Sequence, residues 1–92
     1  MLTSDKKLSN CKDLRKLPLV EIVWHDSAAG GGWNKLSFYR NEKKTSQIRT
    51  VGWLTKNTKG EVQVVQSISQ DGTVADSMTI PRVCIRKTRR LR

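Results

Sequence analysis

No apolar stretch in this chain is longer than a β-strand, and that limit governs every fold open to it. The longest uncharged hydrophobic stretches, Leu17 to Val20 and Ile22 to Trp24, fall far short of the roughly 18 to 20 residues that a membrane-spanning helix needs. No membrane partner is expected. Apolar residues come instead in short runs with period 2, each closed by glycine, proline or a polar turn. Leu19 to Asp26 puts Val20, Ile22 and Trp24 on one face and Glu21 and His25 on the other, the pattern of a half-buried strand. Ser27-Ala-Ala-Gly-Gly-Gly32 ends it, because successive glycines supply nothing to pack. Ile48 to Thr55 resumes strand character, and Gly52 in its centre predicts a bulge or sharp bend where another backbone passes closely. Lys56 to Gly60 turns into a third strand over Glu61 to Ile68, making a hairpin. A further turn at Gln70-Asp-Gly72 leads to a fourth strand over Asp76 to Ile80, which Pro81 stops. After a tight turn over Pro81 to Val83, Cys84 to Leu91 forms a fifth, basic strand or tail.

The longest connection is Trp33 to Gln47. Asn34 is placed to cap a short helix carrying Leu36, Phe38 and Tyr39, while Asn41 to Ser46 reads as solvated loop. The whole pattern predicts an all-β fold: a small five-stranded antiparallel barrel of the SH3-like or Sm-like kind, with a long loop or short helix after the first strand and basic termini. Its core would be Val20, Ile22, Trp24, Val51, Leu54, Val62, Val64, Ile68, Ile80, Val83 and Ile85. An α+β domain with a helix over Asn34 to Lys44 is the alternative. The 92 residues allow one small domain, here residues 18–92, preceded by a flexible basic leader over residues 1–17.

Charge separates the ends from the middle. Of the formal +10, Met1 to Leu17 carries +3, Pro18 to Pro81 only +1, and Arg82 to Arg92 +6. A nearly neutral middle rich in Val, Ile and Trp can form a core, so the chain is not a disordered polybasic one. The leader lacks the apolar block and small-residue cleavage site of a secretory signal, and a cytoplasmic location follows as the expectation. Cys11 and Cys84 are 73 positions apart with no Cys-x-x-Cys spacing, the wrong pattern for a zinc knuckle or dithiol centre. Both are expected as free thiols, Cys84 packed as a small apolar residue and Cys11 exposed.

The elements Trp24-His25-Asp26, Gly32-Trp33, Arg49-Thr-Val-Gly-Trp-Leu54 and Thr79-Ile-Pro-Arg82 followed by Ile85 resemble a family of small bacteriophage and prophage proteins, over about residues 18 to 91. The resemblance implies a phage origin, hence the cytoplasm of a host, and a small β-rich fold; it carries no activity. More distantly, the order of strands and loops is similar to Sm-like RNA-binding proteins, from which no contact residue transfers.

Catalysis is not expected. His25, the one histidine, is followed by Asp26 and Ser27, but neighbouring strand residues point to opposite faces and so do not form a triad. A lone His, two remote Cys and scattered carboxylates offer no metal-ligand pair, and no cofactor is implied. Asp71-Gly72 is turn chemistry rather than one half of an acid/base pair with Asp76. Gly30-Gly-Gly32 lacks the Lys-Ser/Thr of a phosphate-binding loop and reads as a hinge for Trp33.

The strongest signal is the run Arg82-Val-Cys-Ile-Arg-Lys-Thr-Arg-Arg-Leu-Arg92, in which arginine outnumbers lysine five to one. Guanidinium forks suit bidentate phosphate contact. Arg82, Arg86, Lys87, Arg89, Arg90 and Arg92, joined by Lys43 and Lys44, are therefore the candidate nucleic-acid contacts. Five or six such contacts would give a log affinity against log salt slope of roughly −4 to −5. Trp33 and Tyr39, in a loop after glycines, are candidates for base stacking or protein contact; folding of Trp33 back over an open barrel end is the competing expectation. Two functions follow: nucleic-acid binding through the arginine-rich end, or a phage accessory protein that docks on an acidic host protein through the Gly30 to Gln47 loop. Homo-oligomerisation through barrel edges is a further expectation.

Overall fold

The computed structural model describes residues 14–29, 31–42 and 45–92; the expected leader, Cys11, Gly30, Lys43 and Lys44 lie outside them, apart from the leader's last residues. Five strands form a single antiparallel sheet in the order β4-β3-β2-β1-β5. They are β1 (Leu19–Asp26), β2 (Ser46–Asn57), β3 (Glu61–Ile68), β4 (Val74–Pro81) and β5 (Ile85–Arg90), with a short helix α1 (Leu36–Arg40) between β1 and β2. A 3-10 turn at Leu14–Lys16 precedes β1, and another at Arg82–Cys84 joins β4 to β5. Among the described residues the fold is all-β with one short helix, which excludes the α+β alternative: α1 is five residues long and buries none of them.

The strongly alternating segments fall where the pattern puts them, β1 and β3 to the residue. Strand β2 runs two residues further at each end than the apolar pattern indicates, and β4 begins two residues earlier, because each is paired along its length to a neighbour. Pro81 does not stop β4 but is its last residue, opposite Glu61, which an edge strand tolerates. The 3-10 turn takes up Cys84, so β5 begins one residue later.

The main core cluster lies on one face of the sheet, while Val65, next to the inward-facing Val64, is buried outside that cluster. Val20 and Ile22 from β1, Leu54 from β2, Val62 and Val64 from β3, and Ile80 from β4 are fully buried, and Leu17 closes one end of the cluster. Each such side chain contributes about 1.5–3 kcal/mol by leaving water. Trp24, Trp53, Ile68, Cys84 and Ile85 pack around it, partly buried. Two expected core residues are excluded. Val51 alternates with the inward-facing Gly52 and sits opposite Glu21 on the other face, and Val83 is 85% exposed because it belongs to the 3-10 turn rather than to a strand.

Gly52 shows why β2 can serve two neighbours. Ser46 to Trp53 pair with β1, and Trp53 to Asn57 pair with β3. At the changeover a Cβ on Gly52 would lie 2.8 Å from the Val65 carbonyl oxygen and 3.0 Å from Val64 Cβ. Only a hydrogen at this position lets the β3 backbone come so close. The sheet curls accordingly, and the Thr50 hydroxyl of β2 lies 3.9 Å from the Met78 sulfur of β4. Full closure is not reached: among the described residues no ladder joins β4 to β5, so the two remain the edges of an open sheet.

Candidate polyanion-binding face

Strand register decides which cations share a surface. The face of β1 opposite the core carries Glu21, Val23 and His25. Val23 pairs with Arg49 on β2 and with Lys87 on β5, so Arg49, Val23 and Lys87 form one row across three strands. Glu21, in the next row, faces Val51 on one side and Arg89 on the other. Its carboxylate lies 3.4 Å from Arg89 Nη2 and 3.7 Å from Arg49 Nη1. The Glu21 side chain is 14% exposed, whereas those of Arg49 and Arg89 are 63% and 60% exposed. One largely sheltered carboxylate thus braces two guanidinium groups that still present donors to solvent. With Lys87, which is also exposed, the face has three cations to one anion.

The other expected contacts are dispersed. Arg90 has the core-side parity, opposite Val20. Arg86 sits at the register shift between β1 and β5, and its Nη1 donates to the Val83 carbonyl at 3.2 Å. Arg92 is tied through its backbone to Leu19, and its side chain lines a cleft of about 450 Å³ with Trp53, Ile68, Ser69 and Gln70. Arg82 is engaged within the fold. Its Nε donates to the Thr58 carbonyl at 2.9 Å, its guanidinium also donates to Asn57 Oδ1, and its backbone N–H reaches the Gly60 carbonyl. These bonds bind the end of β4 to the β2–β3 turn. Arg49 and Glu21 were missed by sequence reasoning, since neither stands in a charge run; an Arg in the polar phase of an otherwise apolar strand was the available signal.

The loop after β1 holds the candidate aromatic residues. Trp33 is 104% exposed, so it is no lid over the sheet. Leu36 and Phe38 are exposed beside it. Tyr39 is turned inward to the loop: its hydroxyl donates to the Gly32 carbonyl, and Asn34 Nδ2 donates to that hydroxyl at 3.3 Å. Asn34 is thereby occupied, and the residue at the helix N-cap is Lys35, without a side-chain cap. The Phe38 and Tyr39 rings meet edge to face with centroids 5.7 Å apart. Gly32 adopts φ +87°, which glycine tolerates and which turns the chain back toward Tyr39.

At the end of β1, the Asp26 carboxylate accepts the Ser27 backbone N–H at 2.9 Å. Among the described residues no three His, Cys, Asp or Glu side chains come together as a metal-ligand set, and no helix is long and apolar enough to cross a membrane. The fold and face together define a small all-β domain with a basic, arginine-braced sheet surface. Comparison with protein-family models, curated proteins and solved structures finds no match.

Proposed function

We propose that this chain is a non-enzymatic nucleic-acid-binding protein, phage-encoded and acting in the host cytoplasm, that holds phosphates on the outer face of β2, β1 and β5. The arrangement of Arg49, Lys87 and Arg89 around Glu21 carries the reading. Strand register and one shared carboxylate bring two guanidinium groups together while leaving both exposed, and planar forks match phosphate oxygens two at a time. Phosphates supply most of the affinity in such an interface without reading sequence.

The finer fold assignment, an SH3-like or Sm-like small barrel, belongs to the same proposal. It is supported by the strand order β4-β3-β2-β1-β5, the close approach of β3 to Gly52, the register shift of β2 between Leu54 and Lys56, and the one-turn 3-10 connection between β4 and β5. The resemblance of the tryptophan, glycine and Ile-Pro elements to phage proteins supports the origin.

Fluorescence anisotropy with labelled single- and double-stranded oligonucleotides tests the function. Binding that weakens linearly in log–log terms as salt rises is the expected result. Absence of binding to either probe at near-physiological salt overturns it.

A further inference from the structure

We infer that the basic face takes single-stranded nucleic acid in preference to duplex, with Trp33 and Phe38 stacking on bases of the strand whose phosphates lie on Arg49, Lys87 and Arg89; this rests on the polyanion reading above. The described residues around the two rings are held by bonds among themselves. Helix α1 buries no residue, and the bonds of Tyr39 and Asn34 shape the loop from within. That internal support leaves Trp33, Leu36 and Phe38 facing water, a set of large apolar groups that marks an interaction surface.

Chemistry and position both point to the strand already bound by the sheet. Lys35 and Arg40 are exposed among these side chains, so the loop offers aromatic planes interleaved with cations, the combination on which unpaired bases and their phosphates bind. β1 leaves the sheet at Asp26 and β2 re-enters at Ser46, each three residues from the Arg49–Val23–Lys87 row. The base of the loop and the cation row therefore share one end of the ladder. A duplex can use the cations but hides the faces of its bases; a single strand can use both. A protein partner would engage the apolar side chains with no need of the cation row.

Affinities of an oligo(dT) of about 15 nucleotides and of a duplex of equal length, compared for wild type, W33A, W33F, F38A and the R49A/K87A/R89A triple variant, decide the matter. Wild type is expected to prefer the single strand. W33A should weaken oligo(dT) binding by about tenfold, leave duplex binding and the salt slope unchanged, and be partly rescued by W33F. F38A should act in the same direction, and the triple variant should weaken both probes. Trp33 buries nothing, so W33A and W33F keep the fold; F38A removes the ring contact with Tyr39, and circular dichroism checks all three. Equal wild-type affinity for the two probes, or a W33A variant that binds oligo(dT) like wild type, overturns the inference while the polyanion reading stands, and leaves the loop to a protein surface. Failure of wild type to bind either probe removes the reading itself, and this inference with it.

Discussion

Glu21 and Arg89 face each other across the β1–β5 ladder, carboxylate to guanidinium at 3.4 Å, and the same carboxylate reaches Arg49 of β2 at 3.7 Å. Three strands remote in sequence thus converge on one acidic side chain, and the charge that the chain concentrates at its end is drawn into the sheet.

Replacing Glu21 by Gln separates the two consequences of that bridge. Loss of the ion pairs should lower stability by about 1 kcal/mol, the upper range for partly exposed pairs. Removal of the carboxylate that competes for Arg49 and Arg89 should at the same time tighten oligonucleotide binding severalfold at low salt. Chemical denaturation and anisotropy on the one variant measure both; a variant that is less stable and also binds more weakly would contradict the account.

Gly52→Ala should be among the most damaging small substitutions. The added methyl meets the Val65 carbonyl oxygen at 2.8 Å, and relief requires the β3 backbone to move, at a cost of about 2 kcal/mol. For a domain of this size that is a fall in Tm of about 10 °C. Gly60→Ala, where no atom lies within 4 Å of the new carbon, is the control and should change Tm far less.

Arg82→Ala and Arg89→Ala should differ in kind. The Arg82 side chain holds the β2–β3 turn to the end of β4 through the Thr58 carbonyl and Asn57 Oδ1, so its loss should cost about 1.5 kcal/mol or more of stability and leave the salt slope of binding alone. Arg89→Ala should reduce the slope by about 1 and cost stability no more than its part of the Glu21 ion pairs.

Asp71, in the β3–β4 turn, should titrate below the ordinary aspartate range. The Asp71 carboxyl is held below the ordinary aspartate pKa, first by the Thr73 hydroxyl at 2.7 Å and then by the Thr73 amide at 3.0 Å. A carboxyl whose pKa is lower in the folded state stabilises the fold fully above its ordinary value, about 3.8 here, and loses that contribution as pH falls through the lowered value. Thr73→Val should move the Asp71 titration measured by NMR up toward the ordinary value.

These residues also show what can be read from a sequence and what cannot. Leu19–Asp26 and Glu61–Ile68 are legible because period-2 burial is a local property. Gly52 is legible because a glycine inside a β-branched run has few other uses. Register is not local: nothing near Arg49 in the chain shows that it shares a row with Lys87 and a carboxylate with Arg89. Arg82 illustrates the same limit. It stands at the head of a basic run, yet tertiary hydrogen bonds give it a place inside the fold. Trp33 was visible as a candidate, but its exposure and the diversion of Tyr39 into the loop depend on hydrogen bonds that composition does not encode.

The central claim is that register, more than the count of cations in the terminal run, selects the phosphate contacts. It is tested most directly by the salt dependence of duplex binding for two triple variants that remove equal charge: R49A/K87A/R89A from the outer face, and R86A/R90A/R92A from the rest of the run. The account predicts that the first lowers the log–log slope by about 3 and abolishes binding at near-physiological salt, while the second has a distinctly smaller effect. A face variant that binds like wild type, with the terminal-run variant losing the slope instead, would contradict it.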